Sequence, residues 1–316
     1  MNRRDFLIRS SLLVSSSVLL KPSLFGQTPV TKPAAPFTEI KPIRGNVGVF
    51  TGRGGSIGFL SSKDGIAFVD TQFPDTALIC KNQILPAGRK IDVTLNTHHH
   101  ADHTSGNVVF KPDSALLVAQ ANVPKLQFEA AQRAEASGKA SDSSMVANQV
   151  YADTTFTDVW RKDVGSETIS SEFRGPAHTG GDATVYFEKA NVVHAGDLVF
   201  NRLYPVIDHA GGGSIKGWIS ALDDVANAYP ADAIYIFGHG RASFGVVGKK
   251  DDLHRQKEFF LGLMDYTQKQ IALGKAKPEI VALANLPGFD DWHDKLPNRL
   301  GLCLGAAYDE LTAKTS

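Results

Sequence analysis

The chain is poor in sulfur and has no surplus of charge. Two cysteines, Cys80 and Cys303, are too few for a disulfide-stapled scaffold or a cysteine-rich zinc finger. Lys+Arg 33 stands against Asp+Glu 33, so the chain is not built to grip a nucleic-acid backbone. No apolar run reaches the ~20 residues that a membrane-spanning helix needs. Hydrophobic residues make up 42% and charged residues 21%, which excludes a disordered, collagenous or polytopic membrane chain. At 316 residues it is long for one domain and short for three. What stands out is histidine: there are ten, and they cluster.

The start reads as an address and not as fold. Arg3, Arg4 and Arg9 precede an apolar run from Leu12 to Leu20, closed by Lys21-Pro22. That run has the shape of an export signal. Arg3-Arg4 followed by Asp5-Phe6-Leu7 resembles the twin-arginine signal of bacteria, which implies the export machinery as a partner and the periplasm as destination. We place the signal at residues 1–26, although no Ala-x-Ala marks the cut. No early Cys offers a lipid anchor, so no stable membrane anchor is expected. Loss of four basic residues (Arg3, Arg4, Arg9, Lys21) and one acid (Asp5) would leave a net charge of −3. Residues 27–42, with Pro29, Pro33, Pro36 and Pro42, read as an extended leader into a domain over 43–316. Cys80 and Cys303 are expected as buried free thiols.

Strand patterns run over Val47 to Thr51, Ser56 to Ser61, Ile66 to Val69 and Ile91 to Leu95. Pro74 opens a helix through about Leu85, as Pro does in a first turn. A second helix spans about Asn122 to Ser137, and the polar stretch Gly138 to Asn148, with no apolar period, reads as a mobile loop. Residues 156 to 173 form a hairpin turning at Gly165-Ser166. Strands follow at Ala183 to Phe187, Val192 to Ala195 and Ala233 to Phe237. Ser214 caps a helix to about Ala228, and helices near 250 to 273 and 297 to 313 finish the chain. Strands recur in two groups, each closed by helices, which fits two sheets inside with helices outside.

The chemistry concentrates in Asn96-Thr97-His98-His99-His100-Ala101-Asp102-His103, just after a buried strand. Imidazole and carboxylate are natural ligands of zinc and similar ions. On a loop leaving a strand, His98 and His100 would point one way, with Asp102 and His103 serving a second centre. Three more segments add to it: Gly175-Pro176-Ala177-His178, His194-Ala195-Gly196-Asp197 and Phe237-Gly238-His239-Gly240. Each sets a His or Asp beside glycine at the end of a strand pattern, where loops gather into a site.

The order His-x-His-x-Asp-His, then His, then Asp, then His resembles the metallo-β-lactamase superfamily over about residues 45 to 245. The resemblance implies an α/β fold, the αββα four-layer sandwich, with a dinuclear site at one edge. It implies His98, His100 and His178 on a first metal, Asp102, His103 and His239 on a second, and Asp197 bridging. Zn2+, two per chain, is the implied cofactor, with iron or manganese as alternatives. Asp197 stands where one β-lactamase subclass has Cys and another lacks the bridge, so the pattern is similar to glyoxalase II, lactonases and phosphodiesterases. The implied activity is a metal-dependent hydrolase of a small ester, thioester, lactone or lactam. The alternatives are a phosphodiesterase on the same site and a non-haem iron sulfur dioxygenase. Asp102 is expected to be both ligand and proton acceptor. The implied partner is a small-molecule substrate, with no nucleic acid. Asp70 is expected to orient the ligand loop from behind, His99 to point away from the metals, and His194 and Trp218 to pack in the core.

Overall fold

The computed structural model describes residues 37–293 and 297–313. The signal at 1–26 and residues 27–36 of the leader lie outside the described residues.

Alternation of side chains builds the first sheet. Its strands lie in the order β1 (Glu39–Arg44), β2 (Val47–Thr51), β3 (Ile57–Ser61), β4 (Ile66–Val69), β5 (Val93–Asn96), β6 (Leu117–Gln120) and β7 (Thr154–Phe156). β1 to β4 pair antiparallel, and β4 to β7 pair parallel. In β4, Ala67 and Val69 face inward while Ile66 and Phe68 face outward, as period-two geometry requires. The outward set packs with Ala77, Cys80 and Ile84 of α1 (Pro74–Ile84). The short helices α2 (Ala101–Thr104) and α3 (Asn107–Phe110) follow β5, and α4 (Val123–Ala136) follows β6.

The second sheet has the order β15 (Val247–Gly248), β13 (Ile234–Ile236), β11 (Val192–His194), β10 (Ala183–Phe187), β9 (Glu167–Phe173) and β8 (Val159–Val164). Val185, Phe187, Val192 and Ile236 meet Val47, Val69, Val93 and Leu95 of the first sheet in one buried cluster. The opposite face carries Val193, Tyr235 and Phe237, covered by α5 (Ile215–Ala228), α6 (Lys250–Ala272) and α8 (Arg299–Thr312). The result is helix, sheet, sheet, helix. A parallel pair, β12 (Phe200–Asn201) with β14 (His239–Gly240), sits at the site edge, and α7 (Lys277–Val281) packs on α8.

In α5 the Ser214 hydroxyl accepts from Gly217 N at 3.2 Å. Its buried positions Ile215, Trp218, Ala221, Leu222 and Val225 repeat at three and four residues, one apolar stripe. Trp218 is fully buried. Both cysteines are buried, and neither is in a disulfide among the described residues.

The structure departs from the sequence reading in several places, among them the strands β6 and β7, which the sequence reading lacked. Residues 39–42 belong not to an extended leader but to β1, which pairs with β2 and shifts register between Pro42 and Arg44. Proline is tolerated there because an edge strand has one unpaired side. The stretch 138–148 is not featureless. It holds turns at Asp142–Ser144 and Val146–Asn148, tied by Val146 N to Glu135 Oε1 at 2.7 Å and Asn148 Nδ2 to the Asp142 carbonyl at 2.7 Å. Side-chain hydrogen bonds hold it where an apolar period is missing.

Candidate metal centre

Strand ends deliver every ligand candidate to one edge of the sandwich. β5 runs into His98 and His100, and the single turn of α2 carries Asp102 and His103. His178 lies between β9 and β10, Asp197 in the turn after β11, and His239 in β14 after β13. His98, His100, His178 and Asp197 form one group with ligand atoms all within 4.8 Å of one another; Asp102, His103 and His239 form a second. Asp197 spans the two: its Oδ2 lies 3.5 Å from His178 Nε2 and 3.3 Å from His239 Nε2, and its Oδ1 3.0 Å from His103 Nε2. The seven residues singled out in the sequence thus share one site.

Hydrogen bonds at the back of each ring fix which nitrogen looks inward. Asp70 Oδ1 accepts from Thr97 N at 2.8 Å, and its Oδ2 accepts from the Thr97 hydroxyl at 2.8 Å. The Thr97 proton is therefore spent, so its oxygen, 3.0 Å from His98 Nδ1, accepts from that ring. His103 Nδ1 donates to Asp70 Oδ2 at 2.8 Å, His178 Nδ1 to the Val206 carbonyl at 2.8 Å, and His100 Nε2 to Asp208 Oδ2 at 2.9 Å. In the neutral ring each leaves a lone pair aimed at the centre. His98 Nε2, His103 Nε2 and Asp197 Oδ1 are buried with no aligned hydrogen-bond partner. His100 Nδ1 and His178 Nε2 face each other at 2.9 Å. Two lone pairs at that separation repel unless a positive charge lies near both, so this donor set fits divalent cations.

The charges agree. Burial pushes the His178 ring down to about 3, helped by His100, and burial also lowers His98. Burial would lower His103 and His239 too, but Asp197 and Asp102 outweigh it. His239 rises to about 9 and His103 well above its ordinary value. Burial raises Asp102 and Asp197, yet the adjoining imidazoles hold both carboxyls below the usual range. Any cation held by these groups would compete with protons for His103 and His239.

The supporting backbone is tight. Asp70 adopts φ 65, the left-handed region that Asp tolerates better than most residues, at the end of β4 beneath Thr97. A Cβ at Gly238 would run into Asp197 Oδ1, so glycine there lets the carboxylate reach the centre.

The remaining polar and aromatic residues near the centre sort by their contacts. Asp70 stands behind the ligand loop, in direct contact with His103. His99 is buried and turned to Asp208, with its Nε2 3.3 Å from Oδ2. His194 is buried at the base of the site, where its Nδ1 accepts from Gly196 N at 3.2 Å. Trp218 lies in the core with its ring 5.3 Å from that of His178. His209 pairs with Glu310 at 3.0 Å, and Arg202 with Asp291 at 2.8 Å. Asp208 went unnoticed in the sequence. Its carboxylate, held below the usual range despite burial by His100 and His99, tethers His100 and lies against His99. Its only sequence signal was its place before Gly211-Gly212-Gly213, where it accepts from Gly211 N as an Asx turn does.

A small cleft of 190 Å3 opens on Asp102 and His239, between Phe200, Leu203, Tyr204, Val206 and Arg299.

Residues 51–239 match the family model of the metallo-beta-lactamase superfamily. The chain belongs to that superfamily. All seven ligand candidates fall within the matched residues. No curated protein matches the sequence. Solved structures share the fold at low identity. A metallo-beta-lactamase from Pontibacter korlensis superposes at TM-score 0.55 with 18% identity, covering 71% of this chain and 99% of that one. The DIM-1 metallo-beta-lactamase exposed to ceftazidime gives 0.56 and 18%, covering 72% and 97%. A double mutant of the sec-alkyl sulfatase PisA1 gives 0.63 and 15%, covering 87% of this chain and 50% of that one. Superfamily members generally are hydrolases that bind metal ions, and the His and Asp clusters here are able to hold them.

Proposed function

We propose that the chain is a dinuclear zinc hydrolase acting on a small ester, thioester, lactone or lactam. The observation that carries this is the pinning of four imidazoles, His98, His100, His103 and His178, so that their free nitrogens converge around Asp197. His98, His100 and His178 would hold one cation and Asp102, His103 and His239 the other, with Asp197 between them. When bound, such cations acidify water and polarise a carbonyl oxygen. The chain does the rest. Asp70 and Asp208 fix the rings, and Asp197 neutralises charge at the middle of the site. Asp102, ionised and 29% exposed at its side chain, faces the cleft and can accept a proton from the attacking water. The apolar walls formed by Phe200, Leu203 and Val206 keep bulk water from a bound acyl group.

Metal analysis of the purified protein should give close to two zinc ions per chain, and a panel of lactams, lactones, thioesters, esters and phosphodiesters should show turnover of an acyl substrate. One equivalent of iron, with oxygen consumption on a persulfide, would replace this reading with the dioxygenase. Export through a twin-arginine pathway completes the proposal. A reporter fused to residues 1–40 should lose export when Arg3 and Arg4 both become Lys, and undiminished export would refute it.

A further inference from the structure

We infer that Arg299 binds an oxyanion carried by the substrate, so that the substrate class is a small, mostly apolar molecule with one carboxylate or sulfate set apart from the scissile bond. This rests on the hydrolase reading and adds the chemistry of the far end of the cleft. The cleft joins Asp102 and His239 to Arg299 through walls of Phe200, Leu203, Tyr204 and Val206. Its 190 Å3 equals roughly six water volumes and lies below the ~300 Å3 at which drug-sized sites begin. Among the described residues lining it, Arg299 is the one cation.

Arg299 opens α8, just after Asn298, which adopts φ 61, and its side chain is half-buried. Among the described residues it has no carboxylate partner. Other arginines of the chain differ. Arg202 pairs with Asp291 at 2.8 Å, Arg255 pairs with Asp291 at 3.2 Å, and Arg241 donates to the Asp291 carbonyl at 3.1 Å. Among the described residues, the acid lining the cleft is Asp102, which lies 3.1 Å from His239 and 3.8 Å from His103. With no counter-charge among the described residues, a guanidinium partly withdrawn from water gains when an anion arrives. Its planar fork suits an oxyanion in two-point contact. A substrate with its anion at Arg299 and its apolar body along Phe200 and Leu203 places the bond to be cut beside Asp102 and His239.

The zinc-loaded wild type, Arg299→Gln and Arg299→Lys decide the matter in two measurements. Calorimetric titration with hexanoate and with hexyl sulfate should show at least ~10-fold weaker binding to Arg299→Gln than to wild type, with Arg299→Lys between them. Loss for both ligands assigns an oxyanion site in general, and loss for one identifies the preferred group. The second measurement compares 4-nitrophenyl butyrate with the mono-4-nitrophenyl ester of glutarate. The ratio of kcat/KM, anionic over neutral, should fall at least ~10-fold in Arg299→Gln, through KM. Equal binding by wild type and Arg299→Gln, or an unchanged ratio, overturns the proposal. Should neither ester turn over while hexanoate binding still depends on Arg299, the hydrolase reading fails and the anion site stands.

Discussion

Replacing Asp208 by Asn should weaken one metal site and spare the other. Asp208 Oδ2 accepts from His100 Nε2 at 2.9 Å and lies 3.3 Å from His99 Nε2, while Oδ1 accepts from Gly211 N at 2.9 Å. Asn keeps one acceptor oxygen and removes the charge, so His100 loses either its partner or the negative pull that makes its Nδ1 a strong donor to a cation. Removing such a partner from a ligating histidine costs about 10- to 100-fold in metal affinity, or ~1.4–2.7 kcal/mol. The Asp208 side chain is 17% exposed, which favours the lower half of that range. His103 and His239 have no contact with Asp208; His103 is backed by Asp70. Titration against a chromophoric chelator should therefore show one zinc equivalent bound about 10-fold or more weakly and the other near the wild-type affinity. Two equivalents weakened alike would mean general loosening, and two unweakened would mean that Asp208 shapes only its loop. Either result refutes the argument.

Asp197→Asn should fold, hold less metal and lose at least ~10²-fold in hydrolysis, the scale of a lost preorganised electrostatic group; full metal content with near wild-type turnover would end its role as a bridge. Metal uptake by the metal-free protein at pH 7 should release about two protons, from His103 and His239, and the affinity should climb with pH through about 9, read by titration in weakly and strongly ionising buffers. The raised His239 makes a sign prediction for chelated protein: stability from this ring is complete below its ordinary range and is lost as pH rises through about 9, visible as a falling unfolding temperature between pH 7 and 9.5. Gly238→Ala should displace Asp197, destabilise the fold by roughly 1–3 kcal/mol in chemical denaturation and lower metal content, because its Cβ has nowhere to go.

The site was legible where chemistry and local pattern coincide. His98, His100, Asp102 and His103 fall within six residues after an apolar strand, and Asp197 and His239 each sit beside glycine at a strand end, so short-range signals located them. Asp70 was readable for the same reason, as the polar residue that closes Ile66–Val69. The limits are equally physical. β1 was hidden by Pro42, which reads as a linker but costs little on a sheet edge. Asp208 acts on His100, which lies 108 positions away in the chain, and no periodicity reports a contact closed by folding a loop back over the site. The next residue, His209, turns the other way and pairs with Glu310 of α8. Arg299 lies sixty residues past the last ligand, on a helix outside the family match, where only the walls of the cleft reveal that it faces Asp102 and His239. The pattern that sets the reaction is local and readable. The groups that tune the ligands and select the substrate come from distant turns and helix ends, and their meaning exists only once the two sheets have brought them together.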